Sequence, residues 1–147
     1  MLLLNARSDR TIASDVTLAL TRTERRHGLL GHDSLDLSAA LVLSPCWSIH
    51  TMFMRFPIDV VFVDRDGRAV RIVRGLAPWR FAIAPRAHAV IELPAGILRA
   101  RDVRVGDELY LVPPASPTLQ VLRRPTLAAS GTELCRVLKE DRTLQGS

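Results

Sequence analysis

The chain is short of the residues that usually announce chemistry. It has two cysteines in 147 residues, Cys46 and Cys135, far apart and in no CxxC spacing. That count excludes a cysteine-rich structural zinc site, and in a reducing compartment it implies two free thiols. Lysine is almost missing: Lys139 stands alone against nineteen arginines. The net charge of +5 would suit an acidic partner. Yet the arginines are scattered, with only Arg25–Arg26 and Arg123–Arg124 adjacent, and abundant alanine beside them suggests a GC-rich coding bias. No aromatic–basic alternation marks a base-stacking platform. Nucleic-acid binding through scattered arginine is therefore a lesser alternative. Aromatics make up 5% of the chain, so the core has to come from Val, Leu, Ile and Ala. No apolar run is long enough for a membrane span, and "MLLLNARSDR" turns polar too early for a secretory leader. The expectation is a soluble, cytoplasmic protein. Also missing are a glycine-rich phosphate loop, an H-E-x-x-H pair and a nucleophile-elbow serine.

What is present suits one domain with a real core: 48% of residues are apolar. "LLLNA" and "TIASDVTLAL" read as early strands, and "AALVL" (39–43) as another, ended by Ser44–Pro45. Thr21 and Glu24 form a capping-box signature, with Gly28 and Gly31 as candidate stops, predicting a short helix. Residues 49–54 and 58–64 read as strands on either side of a kink at Pro57, and Asp66–Gly67 as a type I′ hairpin leading into "RAVRIVRG". "LAPWRFAIAP" is a connection leading into another short extended piece, "HAVIELPAG" is a strand ending at Pro94, and a last strand runs over 107–112. Many short strands with frequent turns point to a mainly β fold, a sandwich or partly open barrel. The single domain is expected over 1–112. Residues 113–147 are expected to form a linker and an appendage whose helix, "GTELCRVLKE", presents Leu134, Val137 and Leu138 on one face.

The order "GLLGHDSL", "HTMFMRFPIDVVFVDRDGRAV", "PWR", "VIELPAG", "VRVGDEL" resembles domain of unknown function family 192 over about residues 12–112. Phe53, Met54, Arg55, Pro57, Ile58 and Asp59 occupy positions shared with its commoner branch, and the Cys-Trp…Ile-His-Thr opening is similar to another branch. The resemblance implies a compact β-sandwich of jelly-roll type with one short helix, in a bacterial and archaeal family without an established activity.

Candidate site residues concentrate in "CWSIHTMFMRFPIDVVFVD" (46–64) and its surroundings. In a regular strand Cys46, Ser48, His50, Met52 and Met54 would share one face, a soft-ligand row of the kind copper(I) prefers, although methionine on a strand is usually core filler. Asp59 lies in an apolar run and needs a partner, with Arg55 and Arg80 the best placed. Asp64 should accept backbone N–H groups near the hairpin. Glu92 and His88 share strand parity, and His50, His88, Glu92 and Asp59 could converge as a metal or acid–base site, although no local motif supports it. Trp79–Arg80 is an aromatic–cation step of the type found at binding hot spots. Alternatively, Trp79 caps the end of the fold while Arg80 pairs with Asp59 or Glu92. The leading expectation is a non-catalytic β domain binding a small ligand, peptide or protein partner through Cys46, His50, Arg55, Asp59, Trp79, Arg80 and Glu92, with His50 in a shallow pocket beside Arg80 and Glu92. No cofactor or metal is expected. The rival is a metal-dependent or Cys/His enzyme using Cys46, His50, Asp59 and Glu92.

Overall fold

The computed structural model describes residues 1–113. The candidate helix near residue 134 lies outside the described residues. Ten strands and two short helices follow in chain order: β1 (Leu2–Asn5), β2 (Arg10–Ala13), β3 (Asp15–Ala19), α1 (Arg22–His27), β4 (Ala39–Leu43), β5 (Ser48–His50), β6 (Ile58–Val63), β7 (Ala69–Leu76), β8 (Phe81–Ile83), β9 (Ala89–Pro94), α2 (Ile97–Ala100) and β10 (Leu109–Val112). They form a five-stranded sheet ordered β3-β4-β9-β6-β7, a three-stranded sheet β10-β1-β2 and a two-stranded ribbon β5-β8. The sheets do not close into a barrel.

The reason for this layering is visible in the three inner strands. β4, β9 and β6 carry apolar residues at successive positions rather than alternate ones, so both faces must be covered. On one face Ala40, Val42, Val61, Val63, Ile91 and Leu93 pack with Leu3, Ile12 and Leu109 of the small sheet and with Ile97 and Leu98 of α2. On the other, Leu41, Leu43, Val60, Phe62 and Val90 pack with Ile49 and Ala82 of the ribbon and with Leu29 and Met54. The ribbon thus forms a lid over one side of the central sheet.

α1 begins where the capping box predicts. Thr21 accepts from the Glu24 N–H, and the Glu24 carboxylate accepts from the Thr21 N–H. These bonds hold Glu24 below its ordinary value. Glycine 28, at φ 47°, ends the helix.

Three expectations change. The strand expected over 49–54 stops at His50. Thr51 is fully buried; its hydroxyl donates to the Ala77 carbonyl at 2.6 Å and accepts from the Arg80 N–H at 2.9 Å. The chain then turns through Phe53, at φ 65°, so the row from Cys46 to Met54 has no common face and Met52 is only half-buried. The Asp66–Gly67 turn is not type I′, because only Gly67 has positive φ, 79°. Instead Asp64 Oδ1 accepts from the Asp66 and Arg68 N–H groups, and Gly67 N–H donates to the Asp64 carbonyl, giving a longer loop with a glycine bulge. Gly67 also donates its place to the neighbouring sheet: its carbonyl accepts from Leu109 N–H at 2.8 Å.

The third change concerns Asp59, which pairs with no arginine. Strand parity turns it away from the ribbon, toward α2. Its Oδ1 accepts from Gly75 N–H at 2.8 Å, and its Oδ2 accepts from Gly96 and Leu98 N–H at 3.0 Å each. Gly96, the residue preceding α2, has no side chain with which to cap it, so Asp59 supplies that acceptor from β6. Arg55 instead pairs with Asp33 at the surface, and Arg80 donates to the Trp79 carbonyl.

Two outcomes follow from this geometry. Asp59→Ala should lower stability by about 3–5 kcal/mol, because three N–H groups lose a charged acceptor at once; denaturant unfolding measures it, and a change near zero would contradict the clamp. Gly67→Ala should cost about 2 kcal/mol or more, since an added Cβ meets the Leu109 carbonyl oxygen at 2.5 Å on a left-handed backbone. A melt matching the parent would refute that close approach.

Candidate functional site

The ribbon separates its residues cleanly by side. Ser48 pairs with Ile83, Ile49 with Ala82 and His50 with Phe81. Ile49 and Ala82 face inward and are buried, while Ser48, His50, Phe81 and Ile83 are exposed. Past the end of the ribbon, Phe53 and Trp79 both adopt left-handed backbone, at φ 65° and 63°, and their rings pack with centroids 4.7 Å apart. Thr51 fixes both turns, since its carbonyl accepts from the N–H groups of Met54 and Trp79. The His50 ring meets Phe81 edge-on at 6.2 Å. Trp47, Phe53, Trp79 and Phe81 are 53–68% exposed, so four of the seven aromatics in an aromatic-poor chain lie on the surface at this ribbon. Residues 46–57 and 77–87 contain Arg55, Arg80 and Arg86 and no acid.

Beneath the ribbon lies a small pocket of about 80 Å³, walled by Leu43, Ile49 and Met54 and edged by Cys46, His50 and the α1 residue Arg25, with Glu92 in its lining. Glu92 sits on the inner strand β9 between Leu41 of β4 and Val60 of β6. It is 4% exposed, and its Oε2 has no partner among the described residues. Burial pushes its carboxyl up to about 7. The Cys46 thiol donates to the Ser48 carbonyl at 3.1 Å. Burial raises it too, Glu92 adds to the rise, and Arg25 opposes it. A raised thiol is a poor nucleophile at neutral pH. Among the described residues no group of three or more His, Cys, Asp or Glu is arranged to hold a metal ion.

The seven residues singled out from the sequence thus fall in three places. Cys46, His50 and Glu92 meet at the pocket. Arg55, Trp79 and Arg80 lie at or beyond the ribbon end, and Arg80 is not among the pocket residues. Asp59 belongs to the far side of the central sheet. His88 is not among the residues of this pocket; its carbonyl accepts from Cys46 N–H and its own N–H donates to the Val63 carbonyl. Trp79 does not cap the fold but stands in solvent against Phe53. Sequence reading passed over Phe53 and Phe81, and over Arg25 and His27 of α1, which line the pocket. The signal for the first pair was the repeated aromatic–arginine step in "FMRF" and "PWRF".

The profile of DUF192, described as "Uncharacterized ACR, COG1430", matches residues 4–111. The chain belongs to this family. A UPF0127 protein of Thermococcus sibiricus is 30% identical over 114 residues, covering 74% of this chain and 73% of its own length. A UPF0127 protein of Pyrococcus furiosus is 43% identical over 63 residues, covering 42% of this chain. The chain spans about half the length of that Pyrococcus relative, 53%. The same architecture occurs in a crystal structure of a protein of unknown function from Novosphingobium aromaticivorans, with TM-score 0.67 and 21% identity over 76% of this chain and 84% of that one. A Sinorhizobium meliloti protein aligns with TM-score 0.65 and 23% identity over 74% and 89% of the two chains. The fold of this DUF192 chain is therefore shared with solved structures of only 21% and 23% identity.

Glu92 generates a pH-dependent outcome. Its folded value lies above the ordinary 4.5, so the fold favours the protonated form. That contribution is complete below about pH 4.5 and is lost as pH rises through about 7. Glu92→Gln carries no charge at any pH and removes this loss. Between about pH 5 and about pH 8 the parent should lose about 2–3 kcal/mol more than Glu92→Gln, measured by urea unfolding at each pH. Parallel pH profiles would show that Glu92 is solvated.

Proposed function

We propose that this chain is a non-catalytic binding domain whose docking face is the outer side of the β5-β8 ribbon together with the Phe53–Trp79 pair. Its partner is an acidic peptide segment of another protein. One observation carries the reading: the chain spends most of its few aromatics on exposed positions at a single ribbon. Exposed aromatics grouped with arginine have the composition of interface hot spots, where large, stiff side chains give contact area at little entropic cost. The two segments that build the face bear no acids, and beside Arg55, which is paired with Asp33, they carry Arg80 and Arg86, which favours negative charge in what docks there. Two left-handed turns hold Phe53 and Trp79 in place before any partner arrives, reducing the ordering cost of binding. The enzymatic alternative loses its residue set, because Asp59 lies across the central sheet from Cys46, His50 and Glu92.

A displayed random-peptide library selected on the full chain tests this. The expected consensus places acidic residues beside an apolar one. Trp47 and Trp79 are the two tryptophans and both are exposed, so peptide binding should change the intrinsic fluorescence. Trp79→Ala and Phe81→Ala should each weaken binding about tenfold or more while leaving stability within about 0.5 kcal/mol, as for exposed positions. Equal binding by parent and variants would overturn the assignment. Tight binding of a single-stranded oligothymidylate, steeply weakened by salt and abolished in the same variants, would reassign the face to nucleic acid. A stoichiometric transition metal in the purified protein would favour the enzyme reading.

A further inference from the structure

The pocket under the ribbon adjoins the exposed aromatic face at His50 but opens on different residues, and it contains a group with no partner among the described residues. Glu92 occupies an inner strand with apolar neighbours on both sides, Leu41 and Val60. Sheet geometry would tolerate a leucine there. A carboxyl costs stability at such a site unless something answers it. Its Oε2 is buried without a partner among the described residues, and the residue lines a cavity of about 80 Å³. The rest of the lining has two characters. Leu43, Ile49, Leu29 and Met54 make an apolar body, and Arg25, Arg26, His27 and His50 put basic groups around the mouth. Arg25 is held inward by its bond to the Ser44 carbonyl at 3.2 Å.

We propose that this pocket is a site for a small monocarboxylate with a short apolar tail. The ligand's carboxylate faces the neutral Glu92 carboxyl and the basic mouth, and its tail lies against Leu43, Ile49 and Met54. A cavity of this size admits only a few non-hydrogen atoms. Two carboxyls at close range share one proton: the protonated Glu92 donates, and the ligand's ionised group accepts. The negative charge that remains on the pair is met by the guanidinium of Arg25. An ammonium ligand would have to pass four basic side chains to reach one carboxyl. An alcohol could bond to Glu92 but would leave the basic groups uncompensated.

The titratable groups that line the pocket with Glu92 are Cys46 between β4 and β5, His50 of β5, and Arg25, Arg26 and His27 of α1. The apolar residues Leu41 and Val60 flank it from β4 and β6. The neutral carboxyl is the binding form, so affinity should fall as pH rises through about 7. From one pH unit below that value to one above, the apparent Kd should rise about tenfold.

The experiment uses the full chain and three matched probes: isobutyrate, isobutanol and isobutylamine. Each is titrated near pH 6 and near pH 8, with ¹H–¹⁵N spectra and thermal melts as readouts. Isobutyrate should bind saturably, shift the amides around Cys46, Ile49 and Glu92, and bind about tenfold more weakly near pH 8. Glu92→Gln keeps a donor at the same place and should retain binding with that pH dependence removed. Glu92→Leu should fold and lose isobutyrate. A His27→Gln/His50→Gln double variant should keep the pH ratio, which separates the imidazoles from Glu92. Preference for isobutylamine, equal binding of isobutanol, an unchanged pH ratio in Glu92→Gln, or no saturable shift at the pocket with any probe would each overturn the proposal. None of these outcomes depends on whether a peptide docks on the outer face.

Discussion

Three backbone N–H groups converge on one carboxylate, and the rest of the fold is arranged around them. Asp59 reaches from an inner strand to the N–H of Gly75 on β7 and to those of Gly96 and Leu98 at the start of α2. These are places where sheet and helix ladders leave donors unused: a strand end displaced by a register shift, and a one-turn helix without its own cap. A single ionised acceptor answers all three. It thereby holds α2 against the central sheet, so that Ile97 and Leu98 complete the core with Leu3, Ile12 and Leu109. A buried arginine partner would have satisfied the charge but not the backbone.

Asp59 and Glu92 make an instructive pair. They lie on neighbouring antiparallel strands, Asp59 opposite Leu93 and Val60 opposite Glu92, so their side chains leave the sheet on opposite faces. Both are buried acids among apolar neighbours. The first is fully engaged by the protein, and its role is architectural. The second has an oxygen with no partner among the described residues and lines a cavity. The same chemical group, one residue apart in register, is thus fully bonded on one side of the sheet and borders open space on the other. The ribbon makes this difference possible, because it covers the second face with two short strands and leaves a gap at Cys46 and His50.

Much of the architecture was legible in the chain. The Thr21–Glu24 capping box, the largely apolar runs of β4, β6 and β9 and the position of the Asp66–Gly67 turn were read from local pattern, and local pattern is what produces them. The turn's type was misread although its bonds are local; the other misreadings depended on contacts distant in sequence. Thr51 ends β5 because it bonds to Ala77 and Arg80, and nothing near Thr51 announces that. Asp59 finds backbone donors 16 to 39 residues away, which a search for complementary side chains overlooks. The pairing of Phe53 with Trp79 requires the ribbon's register. Of the site, the types of residue were legible but their grouping was not. Cys46, His50 and Glu92 meet, whereas Arg55, Trp79 and Arg80 collect elsewhere.

The small sheet joins the first strand to the last, with Leu2 opposite Val112 and Asn5 opposite Leu109, and Asn5 and Arg7 both donating to Asp107. This sets an order of assembly. During synthesis β1 can find β2 at once, but its other edge waits for about a hundred residues until β10 emerges. Until then Leu109 is missing from the layer over Ile91 and Leu93, and an unpaired strand edge stays open. Long-range closure of this kind is slow because the intervening chain must be ordered before the contact forms. Once β9 has joined β4 to β6, the nascent domain is a nearly finished sandwich with one seam unsealed, and the Asp107 cluster acts as the clasp that closes it.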